Sequence, residues 1–171
     1  MPLYNLDKWR PLIHEFIIHN LRGHQDKSIL DIGFGSSTGS IRESGLKPDT
    51  LDKNKFDNDV THIANIMDAA TLGNVPQYDI VSACELLEHC ESLEAPAKNI
   101  MSLVKPGGFA LITMPCFLPH HPGAHFYGDY FRVMPTGLTQ LFSPHRVVET
   151  IYPSDIEGMP YGIGAIVYKA K

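Results

Sequence analysis

The residues with the most chemical potential sit together in the run Ser28-Ile-Leu-Asp31-Ile-Gly33-Phe-Gly35-Ser-Ser-Thr-Gly39. An apolar stretch suited to a buried parallel strand ends on a carboxylate and then meets glycines. Gly33 and Gly35 can bring backbone close to a ligand without a Cβ in the way. Ser36, Ser37 and Thr38 have the side chains that cap a following helix. Nucleotide-type ligands bind at such strand–loop–helix junctions, so Asp31, Gly33 and Gly35 are read as ligand-binding residues.

Two ligand chemistries compete for this loop. A dinucleotide needs its pyrophosphate on a helix N-terminus behind G-x-G-x-x-G, whereas here the third glycine, Gly39, comes one residue late. Asp31 would also set a negative charge beside that pyrophosphate. S-adenosylmethionine carries a sulfonium, an ammonium and no phosphate, so a carboxylate favours it. Asp52 lies 21 residues beyond Asp31, just after the next predicted strand, where it can accept from ribose hydroxyls under either reading. A second histidine-rich stretch, Pro119 to Arg132, contains His120, His121, His125 and Asp129. These could supply a general base or metal ligands. A substrate-facing loop is the simpler account, and no metal is expected. If the acceptor of a transferred group is a hydroxyl, one of His89, His120, His121 or His125 is the expected base, with His89 and His125 foremost.

The elements that must position these residues alternate between helix and strand. Leu12, Ile13, Phe16, Ile17 and Leu21 recur at helical spacing, Pro11 is placed in that helix's first turn, and Gly23 ends it. Strands are predicted at Ser28–Ile32, Thr50–Asp52, Val60–Ile66, Tyr78–Ala83 and Phe109–Met114. Two more are predicted near Arg146–Tyr152 and Gly162–Lys169. A short helix lies before Gly45, and Leu93, Ala97, Ile100, Met101 and Val104 form one helical face. Lys105-Pro-Gly-Gly108 reads as a tight turn, and another helix covers Pro135 to Phe142. Trp9 is expected to be core. The order implies an α/β fold: a doubly wound, Rossmann-like sheet, mostly parallel with an antiparallel C-terminal strand, in one compact domain over 1–171.

Composition excludes some partners. With 14 basic and 19 acidic residues the net charge is -5, and no basic cluster offers a footprint for nucleic acid. No apolar run is long enough for a membrane span, and the start lacks a signal-peptide pattern. Cys84, Cys90 and Cys116, an odd count without zinc-like spacing, are read as reduced thiols in a cytoplasmic protein. A monomer or weak homo-oligomer with a small-molecule acceptor is expected.

Three segments together carry a resemblance. Asp31-Ile-Gly-Phe-Gly35 resembles motif I of class I S-adenosylmethionine-dependent methyltransferases. Tyr78-Asp-Ile-Val-Ser-Ala-Cys-Glu-Leu-Leu-Glu-His89 resembles the fourth-strand motif of the methyltransferase 11 and ubiquinone-biosynthesis-type families. Val104-Lys-Pro-Gly-Gly108 resembles the turn that those families place before strand five, and Asp129-Tyr-Phe-Arg132 onward resembles a pattern in bacterial members. The resemblance implies that Gly33 and Gly35 line the methionine part of the cofactor and that Asp52 binds the ribose. It further implies that Asn65 and Ile66 edge the adenine and that Cys84 lies against the cofactor. Asn65 stands where the family usually has Asp, and Asp68 could take over. The implied function is S-adenosylmethionine-dependent methyl transfer to an unidentified acceptor, a small molecule or sugar. The alternatives are a degenerate, non-catalytic scaffold on the same fold and an NAD(P)-dependent oxidoreductase.

Overall fold

The apolar runs assemble into one seven-stranded sheet with helices on both faces. The computed structural model describes residues 6–33, 37–55, 60–120, 128–154 and 157–171. Its strands are β1 (Ile29–Ile32), β2 (Asp49–Asp52), β3 (His62–Ile63), β4 (Tyr78–Cys84), β5 (Val104–Pro115), β6 (Arg146–Pro153) and β7 (Pro160–Tyr168). Its helices are α1 (Leu6–Leu21), α2 (Thr38–Glu43), α3 (Glu94–Leu103) and α4 (Pro135–Leu141), with 3-10 turns at Ala69–Leu72 and Leu87–His89. The spatial order is β3-β2-β1-β4-β5-β7-β6. All pairings from β3 through β5 are parallel, whereas β7 pairs antiparallel with both β5 and β6. The predicted sheet is therefore the one formed.

Alternation along the central strands separates two cores. Ile80, Cys84 and Leu111 face α1 and α2, meeting Trp9, Ile13, Phe16, Ile17 and Ile41. Val81, Ala83, Ala110 and Ile112 face the other way, toward Ile100 and Leu103 of α3, Leu138 of α4 and Phe142 just after it. α1 lies directly on β7, which carries glycines beneath its two large rings. A Cβ at Gly162 would overlap the Trp9 ring, and one at Gly164 would come within 2.7 Å of the Phe16 ring.

Four local expectations are corrected. α1 begins at Leu6, so Pro11 lies in its second turn, on the exposed side where water can serve the carbonyl left without a donor. β3 is only His62–Ile63, because the Asn65 side chain accepts from Met67 N at 3.0 Å and turns the chain away. Val104 leaves the predicted helical face and opens β5, since Pro106 disfavours helix at the residue before it. The Lys105–Gly108 turn is absorbed into β5 as an irregularity. Pairing jumps from Tyr78↔Val104 to Ile80↔Phe109, with Gly107 at φ +81°.

Candidate functional site

β1 sends the chain to β2 and β3 on one side, and the chain then crosses to β4 on the other. This reversal opens a crevice beyond the carboxyl ends of β1 and β4, the place where open α/β sheets take ligands. Gly33 forms its floor at φ +82°, with its N–H on the Leu51 carbonyl at 3.0 Å. A Cβ there would be strained and would stand 3.0 Å from Leu86 Cδ1, so the loops after β1 and β4 touch at this glycine.

Asp31 sits behind the loop and is fully buried. Ser37 Oγ donates to its Oδ1, and Thr38 Oγ1 donates to its Oδ2 at 2.5 Å. Two of the three hydroxyls expected to cap α2, those of Ser37 and Thr38, are spent on this carboxylate, and Ser37 makes no side-chain cap. Burial raises Asp31 to about 6, against the hydroxyls of Ser37, Thr38 and Ser82, which lower it. Asp31 therefore acts on the hydroxyls of Ser37 and Thr38 at the start of α2. Gly35, Ser36, His121 and His125 lie outside the described residues.

The other sequence-derived positions line the same edge. Asp52 ends β2, half-buried, and its Oδ1 accepts from Asn54 N at 2.8 Å. Asn65 and Ile66 follow β3. Asn65 is engaged in its turn, and the buried Ile66 is tied to α3 by Asn99 Nδ2, which donates to its carbonyl at 2.8 Å. Asp68 caps the next 3-10 turn by accepting from Ala70 N at 3.0 Å. Cys84 ends β4, fully buried, its thiol pushed up to about 12 by burial. Such a thiol packs as a small apolar group. His89 is held through Nδ1, which donates to the Gly128 carbonyl at 2.6 Å, so a ring proton sits on Nδ1. Among the described residues, no group of three or more His, Cys, Asp or Glu is placed to hold a metal ion.

A carboxyl cluster next to the crevice was not singled out from the sequence. Glu85, directly after β4, adopts φ +51°, an uncommon value for a residue with a Cβ. Trp9 Nε1 donates to its Oε2 at 2.8 Å, and Thr113 Oγ1 donates to its Oε1 at 3.1 Å. Trp9 is thus core, as expected, and also a support for this carboxyl. Burial pushes Glu85 up to about 7. Glu88 is fully buried, with no hydrogen-bond partner on either carboxyl oxygen, and burial together with Glu85 holds it well above the ordinary range. Its Oε1 lies 3.7 Å from His89 Nε2. Alongside, Arg132 forks onto both oxygens of the buried Asp129, at 2.5 and 2.6 Å. Arg132 also donates to the carbonyls of Leu118 and Pro119, at 3.1 and 2.9 Å. The sequence signal for this cluster was the Glu85-Leu-Leu-Glu-His89 run itself, which puts two carboxyls three residues apart at a strand end.

Residues 4–147 match the family described as a methyltransferase domain. The chain is 27% identical over 126 residues to the ubiquinone biosynthesis O-methyltransferase of Vibrio cholerae serotype O1, a match covering 66% of this chain and 50% of that protein. It spans about half the length of this and several similar curated relatives. Among solved structures, a SAM-dependent methyltransferase from Archaeoglobus fulgidus superposes with a TM-score of 0.69 at 15% identity, covering 94% of each chain. The Burkholderia thailandensis 1,6-didemethyltoxoflavin-N1-methyltransferase, solved with bound 1,6-didemethyltoxoflavin and S-adenosylhomocysteine, gives 0.64 at 15% identity over 100% of this chain and 93% of that one. These structural likenesses are likenesses of fold.

Proposed function

The chain belongs to the methyltransferase-domain family, and we propose that it transfers the methyl group of S-adenosylmethionine to a small-molecule acceptor. The observation that carries this reading is the crevice at the ends of β1 and β4, where Gly33 takes a positive φ and lets the loops after the two strands meet. Gly33 backbone, and Gly35 beyond it in the sequence, would line the methionine part. Asp52 would accept from the ribose hydroxyls, Asn65 and Ile66 would edge the adenine, and Cys84 would give an apolar wall. Asp31 would act one layer back, holding the start of α2 through Ser37 and Thr38. When bound, S-adenosylmethionine supplies an electrophilic methyl on a sulfonium. The protein then orients the acceptor in line with that methyl and excludes water, and such positioning supplies much of the rate. The acceptor atom is proposed to be oxygen, in keeping with the O-methyltransferase relatives, with a base drawn from the residues around His89 and His125.

We also propose one domain over 1–171, a cytoplasmic setting, and a monomer or weak homo-oligomer. Among the described residues, no helix is long and apolar enough to cross a membrane. Titration calorimetry with S-adenosylhomocysteine and with NAD tests the cofactor. Binding of the first alone is expected. Binding of NAD instead would support an oxidoreductase, and binding of neither would leave a scaffold on this fold.

A further inference from the structure

Resting on the methyl-transfer reading, we propose that Glu85 takes the proton of the acceptor's hydroxyl or amine as the new bond forms, with the buried Glu88 behind it as a positioning residue that holds a proton of its own.

The two carboxyls differ in access. Glu85 is part exposed at the crevice, beside the Gly33–Leu86 contact, whereas Glu88 is sealed from solvent. Glu85 is aimed by fixed donors on two separate elements, Trp9 of α1 and Thr113 of β5, and its backbone holds a strained φ of +51°. Strain of this kind persists where the surroundings over-determine it, characteristically at functional positions. Glu88 is the less expected neighbour. A fully buried carboxyl with both oxygens unpartnered is costly, and it stands next to a group of like charge. The guanidinium of Arg132 relieves it only through space, because its hydrogen bonds fork onto Asp129. Apart from the 3.7 Å approach of His89 Nε2 to Glu88 Oε1, no ion pair among the described residues accounts for keeping two carboxyls here.

A proton held on Glu88, leaving the charge to Glu85, does account for it. Burial and mutual repulsion favour one proton and one negative charge on the pair near neutrality. The other titratable groups facing it are Arg132, which lowers both carboxyls, and Asp129, which raises them by less, with His89 of the same turn and the thiols of Cys84, Cys90 and Cys116. A proton acceptor titrating near the working pH is the efficient kind. In the step, the acceptor's lone pair forms a bond to the methyl carbon, and the carbon–sulfur bond breaks with its electron pair moving to sulfur. The acceptor's proton passes to the Glu85 carboxylate and leaves to solvent afterwards.

The test compares the full chain with Glu85→Gln, Glu85→Asp and Glu88→Gln. Infrared spectra near neutral pH should show a neutral-carboxyl band in the wild type that is lost in Glu88→Gln. With catechol and a primary alkylamine as acceptor probes, Glu85→Gln should lower kcat by about 100-fold or more, and Glu85→Asp should recover part of that loss. S-adenosylhomocysteine affinity should stay within about threefold in every variant. Glu88→Gln should shift the acid limb of the pH profile while retaining more turnover than Glu85→Gln. Wild-type turnover in Glu85→Gln, or no neutral-carboxyl band in the wild type, would overturn the assignment. A wild type that does not bind S-adenosylhomocysteine would instead overturn the methyl-transfer reading, and the infrared band is read independently of it.

Discussion

β4 carries a carboxylate at each end, and the two are treated in opposite ways. At its start, Asp79 accepts from Ser28 N at 3.0 Å, from Ser28 Oγ at 2.5 Å and from Lys105 Nζ at 3.0 Å. Those donors, Ser28 foremost, hold it down to about 2. Just past its other end, Glu85 is raised to about 7 by burial, next to a Glu88 that has no hydrogen-bond partner. One strand therefore ends in a satisfied charge on one side of the sheet and a frustrated pair on the other. Ion pairing at the amino end ties β1, β4 and β5 together. The carboxyl end gives up stability to keep reactive groups out of water, as functional sites commonly do.

The largest way to sharpen this contrast is Glu85→Gln. Its raised carboxyl costs nothing below the ordinary carboxyl range, where folded and unfolded chains are both protonated. As pH climbs from there through about 7, the folded wild type progressively loses stability relative to the variant. Glu85→Gln should thus be more stable at about pH 8, by roughly 1–3 kcal/mol in urea unfolding, and equal to wild type near pH 4. A smaller effect is expected from Gly33→Ala. The positive φ and the contact with Leu86 should cost about 1–2 kcal/mol and weaken S-adenosylhomocysteine binding in calorimetry. The smallest belongs to Asp79→Asn. Asp79 is depressed, so its contribution is present above the ordinary carboxyl range and vanishes as pH falls toward about 2. Its side chain is 34% exposed, and screening leaves about 1 kcal/mol or less in thermal unfolding near neutrality, with no change in ligand binding. Equal signs for Glu85→Gln and Asp79→Asn near pH 8 would break the comparison.

The sheet was legible because its strands declare themselves locally. Ile29–Ile32 and Tyr78–Cys84 are apolar runs between turn residues, and Gly23, Gly33 and Gly45 stand where the backbone takes positive φ. What was not legible depends on partners distant in sequence. Ser37 and Thr38 look like helix caps until Asp31 is folded against them. Val104 fits a helical face by spacing, yet Pro106 and pairing with Tyr78 take it into β5. Trp9 reads as core by composition and is core, but its indole N–H reaches a carboxylate 76 residues away. Glu85 and Glu88 were visible as a motif. Their missing partners and unequal access to solvent exist only in three dimensions.

The position of β7 carries a consequence for how the molecule comes into being. β7 follows β6 in the chain yet lies between β5 and β6. While the chain emerges from the ribosome, β6 has no neighbour to join and β5 presents a bare edge until residues 160–168 arrive. The glycine-floored half of the sheet can form early, but the Trp9 and Phe16 rings have nowhere to dock before Gly162 and Gly164 are made. Closure of this sheet is therefore a late event in biosynthesis, of the non-local kind that folds slowly and exposes pairing edges in the meantime. A nascent chain arrested before residue 160 would lack an interior strand rather than a peripheral one.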